Sequence, residues 1–154
     1  MIYAVIRVRG SVNIKSDIKD TLKMLRLNRI NHCVLLPKTE GYSGMLQKVK
    51  DYVTWGEIVP QILAKMIIHR GRLIGDKKIS DKYIKANTKF KSIMSFAKAI
   101  SEGDTKYQEL KDIKPVIRLH PPRKGHKGVK KSYKLGGALG YRGEDINKLI
   151  ERMI

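Results

Sequence analysis

Along residues 2–10, Ile2, Ala4, Ile6 and Val8 take one side and Tyr3, Val5, Arg7 and Arg9 the other, until Gly10 breaks the alternation. A period of two predicts a strand, and Arg7 and Arg9 make one of its faces partly basic, which assigns them to a polyanionic partner. From Ser16, an expected N-cap, Ile18, Leu22 and Leu25 recur at helical spacing while Lys15, Lys19, Lys23 and Arg26 fall elsewhere on the surface. His32–Leu36 reads as a short apolar strand closed by Pro37. Thr39–Gly44 then supplies turn and cap residues ahead of a second helix marked by Met45, Leu46 and Val49, and Tyr52–Ile58 reads as a third strand.

Strand, helix, strand, helix, strand over residues 1–58 predicts an α+β chain with a ferredoxin-like βαβαβ core, a small three-stranded sheet with two helices on one face. The opposite face then needs cover, and an attached segment or RNA could provide it. The rest of the chain, residues 59–154, is expected to be a mainly helical, basic extension docked on the core as part of one structural unit. Pro60 suits the first turn of a helix carrying Ile62, Leu63, Met66 and Ile67 and stopped by Gly71. Ser80 caps a shorter helix through Ile84, and Ile93, Phe96, Ala97 and Ile100 mark another, ended by Gly103. Val116–His120 predicts a strand, and Ile146, Leu149, Ile150 and Met153 a C-terminal helix.

Charge changes this picture most. The 154 residues hold 33 Lys plus Arg against 14 Asp plus Glu, a formal net charge of +19. Such an excess is tolerated best beside nucleic acid. Of the basic residues 23 are Lys, a flexible point charge suited to phosphate, whereas reading base edges favours the Arg fork. Up to Ile58 there are ten basic and five acidic residues, so the excess lies mainly beyond it. The lone Cys33 sits in an apolar run, which excludes an internal disulfide and points to a buried structural thiol in a reducing compartment. No segment approaches the roughly 20 apolar residues of a membrane span, and the first residues lack a basic leader, so a cytoplasmic protein is expected.

From Lys114 to Lys134 the run KPVIRLHPPRKGHKGVKKSYK carries eight Lys or Arg, two His and no acid. Pro121, Pro122, Gly125 and Gly128 keep a helix from organising it. A solvated loop is one reading, and a phosphate-binding tract the other. In the second, Arg118, His120, Arg123, Lys124, His126, Lys127, Lys130, Lys131 and Lys134 face RNA, and Arg142 assists beyond the run. Tyr133, flanked by lysines, either stacks on a base or anchors the loop. Tyr3, Tyr52 and Trp55 lie on expected strands without the signature of a single-strand RNA-binding sheet, which favours packing.

A catalytic apparatus is not readable. His32, His69, His120 and His126 are scattered, no cysteine joins them, and neighbouring cations oppose a divalent ion, so neither metal nor cofactor is expected. GRLIGDKK, from Gly71, lacks a P-loop's spacing and Gly-Lys-Ser/Thr ending, and LGGALGYRGEDI does not match G-x-G-x-x-G. Glu144 and Asp145 sit where acids offset a helix dipole. These absences argue against an enzyme, leaving an RNA-processing or RNA-modifying enzyme with the same basic surface as the alternative.

The stretch LRLNRINHCVLLPKTEGYSGMLQKVKDYVTWGEI, with Leu27, Arg29, Ile30, Gly44 and Met45, resembles the core of the L-thirty family of large-subunit ribosomal proteins. Residues after Val59, above all HPPRKGHKGVKKSYKLGGALGYRGEDINKLIERMI, resemble the extension of archaeal and eukaryotic members, and the short N-terminus looks archaeal. The resemblance implies a ribosomal protein of the ferredoxin-like type, without catalysis or cofactor, bound to large-subunit ribosomal RNA near the 5S RNA and beside neighbouring ribosomal proteins. Carried onto this chain, it implies that Arg26, Arg29, Asn31 and His32 before the second strand, and Ser43, Gly44 and Lys48 at the second helix, face RNA.

Overall fold

The computed structural model describes residues 1–154. Strands β1 (Ile2–Arg7), β2 (His32–Pro37) and β3 (Val53–Glu57) alternate with helices α1 (Ser16–Met24) and α2 (Glu40–Lys48). β1 is central and pairs antiparallel with both neighbours, Val5 lying opposite Val34 on one side and Trp55 on the other. The ferredoxin-like α+β core is therefore present. Its sheet, however, has five strands rather than three, in the order β4-β2-β1-β3-β5. The two added strands, β4 (Ile117–Arg118) and β5 (Gly140–Tyr141), are two residues each and occupy opposite edges. Short edge strands leave little unpaired ladder for another chain to add to.

The alternation of β1 explains how both faces are used. Tyr3 and Val5 join Val34, Leu36 and Trp55 against Leu22 of α1, Leu25 just past its end and Leu46 of α2. Ile2, Ala4 and Ile6 join Cys33 and Leu35 in a larger core with α3 (Pro60–Arg70), α5 (Ile93–Glu102) and α6 (Ile146–Met153). The chain's own extension thus covers the face that α1 and α2 leave open. A short α4 (Asp81–Asn87) adds Ile84 to that core.

Element ends follow local chemistry with two exceptions. Thr39, Ser80 and Ser92 cap α2, α4 and α5 through side-chain oxygens, and Gly103 ends α5 at φ 88°. Ser16, by contrast, is the first residue of α1, preceded by Lys15, which has no capping side chain. The second helix also begins at Glu40, earlier than the Met45 stripe suggests, because Thr39 accepts from Tyr42 N and fixes the start upstream. β1 stops at Arg7 because Val8 N and Arg9 N both donate to Tyr52 O, at 2.8 and 3.1 Å, which breaks the regular ladder.

Candidate nucleic-acid interface

The basic run links the two sheet edges. It enters as β4, where His32 lies opposite Arg118, and Leu119 N donates to Asn31 O at 3.1 Å. It then crosses the end of α6, where His120 N donates to Met153 O and Arg123 N to Arg152 O, at 3.2 and 3.0 Å. Arg152 returns a guanidinium bond to Arg123 O at 3.2 Å. Further on, Ala138 N meets Gly128 O and Lys131 O before the chain pairs with β3 as β5. Glycine is required there at Gly137, since a Cβ would lie 2.1 Å from Lys131 O. Main-chain hydrogen bonds therefore hold the run as a folded strap.

Its charges point outward. Arg118, Arg123, Lys124, Lys127, Lys130, Lys131 and Lys134 are exposed, and none has a carboxylate within 4.0 Å. Cations fixed to a folded backbone without counter-charges create a positive potential that a polyanion relieves. His126 is half-buried in this strap, and burial, with Arg142 and Arg152 beside it, lowers its pKa. His120 is tied to backbone, its ring nitrogens 2.8 Å from Pro121 O and 2.5 Å from Ile154 O.

The turn before β2 adjoins the entry of the strap. Arg26 and Asn31 adopt left-handed φ of 61° and 67°, bending the chain sharply on both sides of exposed Arg29. Buried Leu27 anchors the turn beneath. His32, half-buried, has its pKa lowered first by burial and then by Arg118, Arg29 and Arg7, so the imidazole is neutral at pH 7. Its Nδ1 is buried without a hydrogen-bond partner. The structure therefore brings Arg29, His32 and Arg118 together, on a turn that also carries Arg26 and Asn31.

Three of the residues assigned to RNA face the protein instead. Arg7 is only 3% exposed: its Nη1 donates to Leu27 O at 2.7 Å, its Nε to Arg9 O at 2.9 Å and its Nη2 to Ser11 Oγ at 2.7 Å. The strand face read as basic is the face packed on α1 and α2, so Arg7 braces the turn from inside. Arg142 donates through Nε to Thr54 Oγ1 and through Nη2 to Ala138 O, both at 2.7 Å, fastening β5 to β3. Tyr133 lies under Arg142, the guanidinium carbon 4.9 Å from the ring centroid, and its hydroxyl donates to Asp145. Of its two readings, stacking or loop anchoring, the contacts match anchoring.

The remaining assignments are at the surface. Arg9 is half-buried over the Tyr52 ring, 5.3 Å from its centroid. On α2, Lys48 is exposed and 3.9 Å from Asp17, a long surface pair of little energetic weight. Gly44 is exposed inside the helix, and nothing lies within 4 Å of where its Cβ would be. Ser43 lines a cleft of about 480 Å³ together with Gln47, Lys50, Trp55, Lys134 and Tyr141. Gln47, Lys50 and Tyr141 were invisible to sequence reasoning because only the pairing of β5 with β3 brings the extension against α2. No three His, Cys, Asp or Glu side chains converge on a common point.

A small α+β core joined to a folded, unneutralised basic strap is the architecture of a basic nucleic-acid-binding protein. Residues 3–53 match the family described as ribosomal protein L30p/L7e. Large ribosomal subunit protein uL30 of Methanoculleus marisnigri is 52% identical over 151 residues, covering 98% of this chain and 99% of that protein. Its counterpart in Methanobrevibacter smithii is 53% identical over 152 residues, 99% of each. The chain belongs to the uL30 family of large-subunit ribosomal proteins, in its archaeal branch.

Proposed function

We propose that this protein binds large-subunit ribosomal RNA along two connected surfaces, the cationic patch of Arg29, His32 and Arg118 with the turn that carries Arg26, and the strap from Arg123 to Lys134. As a uL30 family member it is a structural constituent of the large ribosomal subunit, cytoplasmic and without enzymatic activity, among neighbouring ribosomal proteins. The observation that carries the residue-level reading is the absence of any carboxylate partner for the strap's exposed cations. Residues 1–58 act as a platform, and residues 59–154 supply the charge while covering the platform's second face. Lysines predominate among the strap's exposed cations, which suits contact with phosphates more than recognition of base edges.

Gly44 fits the same reading. Glycine inside a helix costs about 0.5–1 kcal/mol relative to alanine, and the fold places nothing near it that demands the missing side chain. A backbone that RNA approaches closely supplies such a demand. Proximity to the 5S RNA is part of this proposal and is read by hydroxyl-radical footprinting of subunits containing the protein.

The strap assignment is tested by measuring affinity for large-subunit rRNA fragments against salt concentration. Each phosphate contact contributes about 0.9 to the log–log slope on duplex, so replacing Lys124, Lys127, Lys130 and Lys131 together by Gln should flatten it by roughly 3 to 4. An unchanged slope would refute the assignment.

A further inference from the structure

The cleft between α2 and β5 adjoins the end of the strap, which lends it Ser132 and Lys134, and carries a different chemistry. Its volume, about 480 Å³, is within the roughly 300–1,000 Å³ of small-ligand sites. One wall is aromatic. Tyr141 is 42% exposed, with its ring centroid 6.3 Å from those of both Tyr3 and Trp55, edge-on to the first at 72° and tilted 48° to the second. Tyr3 and Trp55 are buried by comparison, so Tyr141 is the ring available to a ligand.

That ring is held in place from both ends. Its backbone pairs with Trp55 in the β3–β5 ladder, and its hydroxyl donates to the Glu57 carboxylate at 2.7–2.8 Å. The hydrogen bond to Glu57, with burial, pushes the phenol pKa up to about 12, so the hydroxyl keeps its proton. A fixed ring loses little rotamer entropy when a flat ligand stacks on it. The rest of the lining is polar and cationic: Ser43 and Gln47 from α2 offer hydrogen bonds, and Lys50 and Lys134 line the cleft without carboxylate partners. No acid lines the cleft. Glu57, the nearest one by contact, is committed to Tyr141 and to Lys38 at 3.5 Å.

A flat aromatic group carrying negative charge fits this combination, and an unstacked nucleotide is such a group. We propose that the cleft takes a single extruded nucleotide of RNA, its base stacked on Tyr141 and its adjoining phosphates met by Lys50 and Lys134. This rests on the RNA-binding reading above and gives it a second mode, recognition of one unpaired nucleotide beside the duplex-compatible contacts of the strap.

Trp55, the only tryptophan, lines the cleft and reports on it directly. The full-length protein is titrated with a short single-stranded oligoadenylate, with duplex RNA of equal length, with AMP and with polyglutamate, following Trp55 fluorescence. The oligoadenylate alone should quench it strongly. Tyr141→Leu should weaken oligoadenylate binding by about tenfold to a hundredfold, the range for loss of one base stack, and leave duplex binding and its salt slope unchanged. Tyr141→Phe, which keeps the ring, should stay close to wild type. Equal quenching by duplex or polyglutamate, equal affinity for AMP, or an unaffected Tyr141→Leu variant would overturn the proposal. Salt-dependent RNA binding with a silent Trp55 would sink the cleft assignment and leave the strap assignment standing, whereas failure to bind any RNA would remove both.

Discussion

The guanidinium of Arg7 donates to the carbonyl of Leu27 at 2.7 Å, joining the end of β1 to the turn that leads into β2. Burial lowers the Arg7 pKa, although an arginine keeps its charge in a folded protein. No carboxylate pairs with it, and its compensation is three hydrogen bonds to Leu27 O, Arg9 O and Ser11 Oγ. The exposed Arg26 and Arg29 are carried on a turn whose shape depends on this buried cation.

Arg7→Met should therefore destabilise the free protein by about 2–3 kcal/mol, since removing a charged donor strands buried acceptors. Arg7→Lys should recover little of it, because an ammonium cannot reach three acceptors with the geometry of the fork. Urea unfolding followed by Trp55 fluorescence measures both. A near-neutral Arg7→Met would mean that the brace contributes nothing to the fold.

Gly44→Ala should act with opposite signs on stability and binding. With open space around the new Cβ, the helix gains about 0.5–1 kcal/mol. Affinity for rRNA should fall if RNA approaches the backbone there. Parallel unfolding and binding measurements decide it, and a variant that gains stability with unchanged affinity would remove Gly44 from the interface.

Acid should weaken the fold before the carboxylates titrate. His32 and His126 both have pKa values lowered by burial and neighbouring arginines, from an ordinary 6.5. Below that value the unfolded chain binds the protons more readily than the folded one, so stability is full above about pH 6.5 and declines as pH falls toward the folded-state pKa values. His32→Gln with His126→Gln should flatten unfolding free energy between about pH 7.5 and 5.5. RNA should oppose the decline, because phosphate favours the protonated imidazoles.

Helices were legible in the sequence because their signals are local. The stripe Ile62, Leu63, Met66, Ile67 and the stripe Ile146, Leu149, Ile150, Met153 each lie in an observed helix, and the caps at Ser80 and Gly103 are where the residue types placed them. The strand expected at Val116–His120 appears as the two-residue β4. β5 had no such signal. A two-residue parallel strand in a glycine-rich segment has no periodicity to read, and it exists because Arg142 N donates to Trp55 O and Arg142 Nε to Thr54 Oγ1 across more than eighty intervening residues.

The candidate site divides in the same way. Exposed lysines of the strap were readable because an acid-free run with prolines and glycines cannot bury its charges whatever the fold. Arg7 and Arg142 turn inward, which composition does not show because it does not say which way a side chain faces, and Tyr133, open to stacking or anchoring from the sequence, makes anchoring contacts. Alternation put Arg7 on the same side as Tyr3 and Val5, correctly, but whether that side met helices or RNA depended on where α1 and α2 packed.

The sequence by itself determined the helices, the three central strands, the excess of positive charge and its concentration in one run, since each follows from local periodicity or from counting. Tertiary structure alone decided that both sheet faces are covered by the chain itself, that Arg7 and Arg142 are internal braces, and that Tyr141 stands over a cleft with Lys50 and Lys134. Those outcomes depend on contacts between residues far apart in the chain, where several packings satisfy the same pattern and close packing with hydrogen-bond satisfaction selects one.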